Sequence, residues 1–457
     1  MRMSSGRLHS VLFCDRSAAA SAVSSMVLRR RYSSVPRGGS AFSLAPPLSV
    51  FNFFLRHHYA PRRGYAAASS SSSAEKSALS FFSSKSTCRA VGIVGMPNVG
   101  KSTLFNALTS SQAAKAANFP FCTIDPNIGK IWVPDERLEK LAQLARSEKI
   151  TPAQMEFVDI AGLVAGASQG AGLGNKFLAN IREVSMILQV VRCFENGGMG
   201  EEIAHVEGTI DPIRDIETIN TELQLADIET LQKALSKKTK ANDEAGKKRL
   251  ELIEKTLDIL DKGQNAYTIT LTEDEWPIFS AFHLLTAKPV LYCCNVREEE
   301  AADGNNMVNQ LKQYVASKQD GHAENVVIAS AKLESEVANL EDESARAEFL
   351  SMYGLTETGL PKVIRAARRM LKQNTYFTVG PQEARSWNVP AGATAVEAAA
   401  VIHTDFAKGF IKAETISYDD YIKYGGEKGA KDNAKLRFEG ASYIVQDGDV
   451  LFFRFRK

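Results

Sequence analysis

The chain has 457 residues, 44% hydrophobic and 24% charged, with a formal net charge of +2; that length exceeds one ordinary domain and predicts two or three with tails. The charge is unevenly spread: residues 1–88 carry twelve Lys and Arg against Asp15 and Glu75, and the remaining 43 basic and 51 acidic residues leave the body at −8. This excludes a globally basic nucleic-acid coat, so any RNA contact must come from a local patch.

The first 88 residues are rich in Arg, Ser and Ala and close in the low-complexity run 66–74. That composition predicts a disordered transit peptide. Arg29-Arg30-Arg31-Tyr32-Ser33 and Arg62-Arg63-Gly64-Tyr65-Ala66 resemble arginine-guided processing sites, which points to the mitochondrion; a plastid address shares the composition, and the cytoplasm follows if the extension is not a working presequence. No apolar run approaches the roughly 18 residues that span a bilayer, so no membrane partner is expected. The cysteines at 14, 88, 122, 193, 293 and 294 show neither metal spacing nor a disulfide framework, which suits a reducing compartment.

Residues 95–103 read Gly-Met-Pro-Asn-Val-Gly-Lys-Ser-Thr, between an apolar strand (90–94) and the start of a helix. This is the pattern and the context of a phosphate-binding P-loop. Its glycines let backbone amides turn inward, and the helix start adds partial positive charge. Lys101, a catalytic candidate, would reach the terminal phosphates and Ser102 would ligate Mg2+. After the first helix a Pro-punctuated loop, 118–126, offers Thr123 as the first-switch group that completes the magnesium shell. The strand 155–158 then ends in Asp159-Ile160-Ala161-Gly162, a second-switch pattern in which the carboxylate holds magnesium through water and the Gly162 amide meets the terminal phosphate. Leu163 stands where Ras-like enzymes keep a water-orienting Gln. His205, beyond the strand 185–191, is the candidate to position the water instead.

Residues 211–262 read as two long helices, with Ile216, Ile219, Leu223 and Ala226 on one and Leu250, Ile253, Leu257 and Leu260 on the other at coiled-coil spacing. The expectation is an antiparallel helical arm whose charged tip lies at 237–248. The strand 289–294 ends at Asn295-Val296-Arg297-Glu298. Guanine sites place Asn-Lys-x-Asp here, so Val296 and Glu298 disfavour guanine, at roughly 1 to 3 kcal/mol if its donors are left unpaired. Asn295 and the backbone at Val296 are candidates to serve adenine. Ser330-Ala331-Lys332 after the strand 326–329 is the ordinary fifth element of a guanine site and keeps GTP open. From Thr375 onward short strands surround one helix, 393–402, as in a β-grasp fold, with Trp387 in a Pro-bounded turn. The last strand, with Phe453, Arg454, Phe455, Arg456 and Lys457, suits either an RNA-facing surface or an ordinary core-and-surface alternation.

From about Ala90 onward the chain resembles the Obg-like ATPase, or YchF, family of translation-factor-class P-loop proteins. The P-loop, the Phe-Cys-Thr-Ile first switch, the Asp-Ile-Ala-Gly-Leu second switch, the helical insert and the Asn-x-x-Glu element carry that likeness. It implies an α/β fold: an OBG-type, Ras-like G domain over 89–373 with a helical coiled-coil insertion at 202–268, and a C-terminal TGS domain over 374–457. It further implies slow hydrolysis of ATP in preference to GTP, ribosome or ribosomal RNA as partner, and contacts from Asn98, Val99, Gly100, Lys101, Ser102 and Thr103 to the triphosphate. Ser102 and Thr123 would hold magnesium and Val296 the base, and His205 falls where the family carries its proposed catalytic histidine. The nucleotide set extends to Asp159, Gly162, Asn295, Glu298, Ser330 and Ala331. The rival readings are a GTPase of the same fold and a scaffold with a structural nucleotide. A monomer is the simplest expectation.

Overall fold

The computed structural model describes residues 76–77, 90–116, 128–160, 173–195, 208–236, 244–318, 323–340 and 342–456, with backbone alone at 76–77, 111–116 and 173–176. The leader through residue 75, Thr123, Gly162, His205 and Lys457 lie outside the described residues.

In chain order the first strands are β1 (Lys76–Ser77), β2 (Ala90–Val94), β3 (Ile128–Trp132), β4 (Lys149–Thr151), β5 (Gln154–Asp159), β6 (Met186–Arg192), β7 (Thr270–Leu271), β8 (Val290–Asn295) and β9 (Val326–Ala329). Six of them form one sheet in the order β3-β5-β2-β6-β8-β9. The β3–β5 pair is antiparallel and the other pairs are parallel. Every residue of β2 and β6 is buried. That is why these strands read as continuous apolar runs: a parallel strand covered by helices on both faces has no solvent side. The Asn295–Val99 and Asn295–Ala331 contacts described below lie where β2, β8 and β9 end, which places the site at the carboxyl ends of the parallel strands. Of the residues preceding 89, Lys76 and Ser77 pair antiparallel with Leu271 and Thr270.

The helical insertion consists of Pro212–Ser236 and Glu244–Asp261. The helices run antiparallel, since Gln224 Nε2 reaches the carbonyl of Gly263 at the far end of the second. The coiled-coil expectation for the first helix is corrected here. Ile219, Leu223 and Ala226 belong to the core beside β2 and β6, and Ile216 packs with Val191 and Leu311. These residues dock on the sheet and not on the second helix. Only from Ile228 and Leu231 onward does the first helix face Leu252, Ile253 and Leu260, and the pair then shares its core with Trp276, Phe279 and Phe282. Heptad spacing marks an apolar stripe but not its partner, and the sheet is the larger apolar surface. Asp227 locks this base: its carboxylate accepts from the amides of Leu285 and Thr286, both at 2.8 Å, and from the Thr286 hydroxyl at 2.7 Å.

The C-terminal strands are β10 (Gln373–Val379), β11 (Glu383–Pro390), β12 (Phe410–Ser417), β13 (Arg437–Glu439) and β14 (Asp449–Phe455). They form a mixed sheet in the order β13-β12-β14-β10-β11-β4, and the helix Ala395–Ile402 packs with them in one core. This is a β-grasp arrangement. Trp387 stands inside β11, not in a turn: its ring stacks on Tyr376 and its Nε1–H donates to Thr378 at 2.9 Å. In β14, Phe453 is buried against Tyr376 and Phe410, Phe455 stacks on Phe406 at 3.9 Å, and Arg454 points outward to Glu414. The strand alternates as a half-buried strand does, so Phe453 and Phe455 serve the packing.

The edge strand of this sheet comes from the other domain. β4 pairs in parallel with β11, through Lys149 with Glu383, Ile150 with Ala384 and Thr151 with Arg385. Beside it the Ser147 hydroxyl donates to the Gly380 carbonyl at 2.7 Å, and the Ala153 amide donates to Ser386 Oγ, also at 2.7 Å. The helix Glu136–Ala145 buries Leu138, Leu141 and Ala142 in one core with Phe377, Ala384 and Ile416. Arg137 bridges Asp135 and Asp447. The segment that separates the two switch strands β3 and β5 is thus built into the C-terminal sheet.

Candidate nucleotide site

Gly95 to Gly100 turn from β2 into the helix Lys101–Ala116. Gly100 has φ +95°, and a Cβ there would stand 2.5 Å from Asn295 Nδ2, so both backbone and space demand glycine. Asn98 is also left-handed, at φ 62°. Lys101 is only 8% exposed, and its Nζ donates to the Met96 carbonyl across the loop at 2.8 Å. Burial lowers its pKa, and Asp159 opposes that. Beside it the Ser102 hydroxyl donates to Asp159 Oδ2 at 3.1 Å. Ser102 and Thr103 are exposed at the mouth, while Val99 is buried beneath. A hydroxyl and a carboxylate converging beside a buried lysine are an oxygen donor set that fits magnesium, a hard cation.

Asn295, at the end of β8, is the tie of the site. Its Nδ2 donates to the Val99 carbonyl at 2.9 Å and its Oδ1 accepts the Ala331 amide, also at 2.9 Å. The side chain therefore clamps the P-loop to the segment after β9. The Val296 amide donates to the Ala329 carbonyl at 3.1 Å. Ser330 is buried and caps the helix Ala331–Ala338, its Oγ accepting from the Leu333 amide. Its hydroxyl thus holds the wall of the site in place. Glu298 Oε1 lies 2.6 Å from Lys332 Nζ.

The structure thus brings Val99, Lys101, Ser102, Asp159, Asn295, Ala331 and Glu298 to one end of the sheet. Among the described residues no group of three or more His, Cys, Asp and Glu is placed to hold a metal, and no helix is long and apolar enough to cross a membrane.

Residues 90–233 match a family model described as "50S ribosome-binding GTPase", and residues 373–456 match the model YchF-GTPase_C, described as "Protein of unknown function (DUF933)". The ribosome-binding ATPase YchF of Haemophilus ducreyi is 52% identical over 367 residues, covering 80% of this chain and 98% of the relative. The chain belongs to the YchF family. The Bacillus subtilis relative of the same name is 48% identical over 369 residues, with the same coverage. A solved YchF GTPase of Schizosaccharomyces pombe matches at TM-score 0.72 and 36% identity, covering 81% of this chain and 99% of that one.

One part of this YchF site escaped the sequence. The Glu298–Lys332 pair joins residues from different strand ends, and only the position of Lys332 directly after Ser330-Ala331 could have hinted at it. Away from the P-loop, on the helix that opens with Ala331, Glu334 is a buried carboxyl. Its Oε1 accepts from the amides of Gly359, at 2.5 Å, and Leu360, at 3.3 Å.

Burial pushes the Glu334 carboxyl from its ordinary 4.5 up to about 7, against hydrogen bonds from Thr358 and those two amides. The folded pKa is raised, so the folded chain binds this proton more tightly than the unfolded one does. The stabilisation is full below the unfolded value and is lost as pH rises through about 7, by up to about 3 kcal/mol. Glu334→Gln keeps an acceptor oxygen and has no charge to bury. Its urea midpoint is expected to exceed that of the parent at pH 8 and to converge toward it at pH 5; a gap independent of pH would remove Glu334 as the cause.

Proposed function

We propose that this chain is a nucleotide-dependent switch that binds Mg-ATP, hydrolyses it slowly to ADP and phosphate, and works on or with the ribosome. The observation that carries the hydrolase part is the convergence of buried Lys101 with the Ser102–Asp159 contact under the P-loop. Ser102 and Asp159, with Thr123, would hold the magnesium, which supplies charge neutralisation to the phosphates. Lys101 would release the Met96 carbonyl and turn its ammonium to the terminal phosphates. Asn295 keeps the loop in register with the base wall through its two hydrogen bonds. Glu298 in place of the guanine-reading Asp, and the ATPase name of the relatives, support adenine. Those names also say ribosome-binding, which we extend to this chain. His205 is our choice to orient the attacking water, because the Leu163 side chain has no polar atom to do so.

Titration of the full chain with ATP and with GTP in magnesium is expected to favour ATP by about tenfold or more, the scale of mismatched donors in a buried site. Tighter GTP binding would transfer the assignment to a GTPase, the reading that Ser330-Ala331-Lys332 favours and that the Schizosaccharomyces pombe relative, a GTPase by name, supports. Single-turnover hydrolysis in His205→Ala is expected to slow by about 10²-fold. An unchanged slow rate would assign the water to another group.

A further inference from the structure

Guanine presents an O6 acceptor and an N2 amino donor beside N1–H; adenine presents an N6 amino donor at the place of O6. A wall that selects guanine must therefore offer an amide donor toward O6 and a carboxylate with both oxygens turned to N1–H and N2. Both groups exist here, on the segments that leave β8 and β9, and both are already engaged by the protein. The Ala331 amide donates to Asn295 Oδ1 in a buried hydrogen bond of 2.9 Å. The Glu298 side chain is 12% exposed, with Oε1 2.6 Å from the Nζ of Lys332, a residue whose side chain is 65% exposed.

We infer that Lys332 is a positioning residue that sets base selectivity by holding the Glu298 carboxylate away from the purine edge. The inference rests on the ATP reading above and names the device within that site. The glutamate has one methylene more than aspartate, and that length carries its carboxylate to the first turn of the helix Ala331–Ala338, where Lys332 stands. With one oxygen on the ammonium, bidentate acceptance from guanine is broken. An ordinary surface pair would contribute little, because water screens both partners. Here the carboxylate is mostly withdrawn from water, so losing the lysine leaves a half-buried acceptor without its cation, and the N1–H and N2 amino group of guanine are the donors able to satisfy it. Adenine carries no donor at N1 and no amino group at C2, so it cannot exploit the change.

The test is equilibrium binding of ATP, GTP and ITP with magnesium to the full chain, the Lys332→Met and Lys332→Arg variants, and the double variant Lys332→Met with Glu298→Gln. In Lys332→Met the GTP-to-ATP affinity ratio is expected to rise about tenfold, the scale of one good bidentate pair. GTP should also overtake ITP, which lacks the 2-amino group. Lys332→Arg should keep the parental ratio, and the double variant should lose the gain. If the pair served only to tie the two segments together, all three nucleotides would weaken in parallel. An unchanged GTP-to-ATP ratio in Lys332→Met overturns the inference. The ratio in the parent chain decides the ATP reading separately, so the two failures are told apart. The exposure of Lys332 makes Lys332→Met a mild change to the fold.

Discussion

Lys101→Ala is expected to weaken Mg-ATP binding by roughly 10²- to 10³-fold while leaving the fold intact. The ammonium is nearly buried under the loop and donates to the Met96 carbonyl at 2.8 Å, an uncharged partner. Burial already disfavours its charge, with Asp159 the opposing influence. Phosphate oxygens are far better partners for a desolvated cation, and hydrogen bonds involving a charged group contribute about 1.5 to 3 kcal/mol each. Two such bonds from the lower half of that range, about 3 to 4 kcal/mol together, correspond to the stated loss at 1.4 kcal/mol per tenfold. The truncation removes a charge that burial opposes, so thermal unfolding of the free chain should change little. Isothermal titration checks the first statement and calorimetric unfolding the second. Affinity within threefold of the parent would mean that the triphosphate does not lie over this loop.

Leu141→Ala should cost about 2 to 5 kcal/mol of stability, the range for emptying a well-packed leucine site. Leu141 is fully buried, and its neighbours Phe377 and Ala384 come from the C-terminal sheet. Few adjustments can fill the void, because the helix Glu136–Ala145 is held at both ends. Asp135 caps it and Arg137 runs to Asp447 at one end, and β4 pairs with β11 beyond the other. The consequence reaches function, since this helix lies between the switch strands β3 and β5. Loosening it should raise amide exchange in β11 and in residues 149–153 together. A loss below 1 kcal/mol in urea unfolding, or exchange confined to the helix, would show that the two domains are not joined through this core.

The P-loop was legible because all of its determinants are local: a buried apolar strand, two glycines at fixed spacing, and Lys-Ser opening a helix. The same holds for the strand ending in Asp159 and for the helix Ala395–Ile402 with its Thr394 and Glu397 capping box. Periodicity also identified the apolar stripe on Pro212–Ser236. It did not identify what covers the stripe, since Ile219 and Leu223 carry the same spacing against a helix or against a sheet. Likewise, alternation along β14 required one face to be buried, but only the position of Tyr376 decided that Phe453 is inside and Arg454 outside.

The phosphate seat, the second-switch carboxylate and the order of the domains follow from the residues as written, because each rests on positions within one strand, turn or helix. Folding in three dimensions was needed to put β4 into the C-terminal sheet, to make Asn295 lock the P-loop to Ala331, and to bring Glu298 to Lys332. Those are contacts between residues far apart in the chain, set by which strand ends the parallel sheet brings together, and no local pattern encodes that distance.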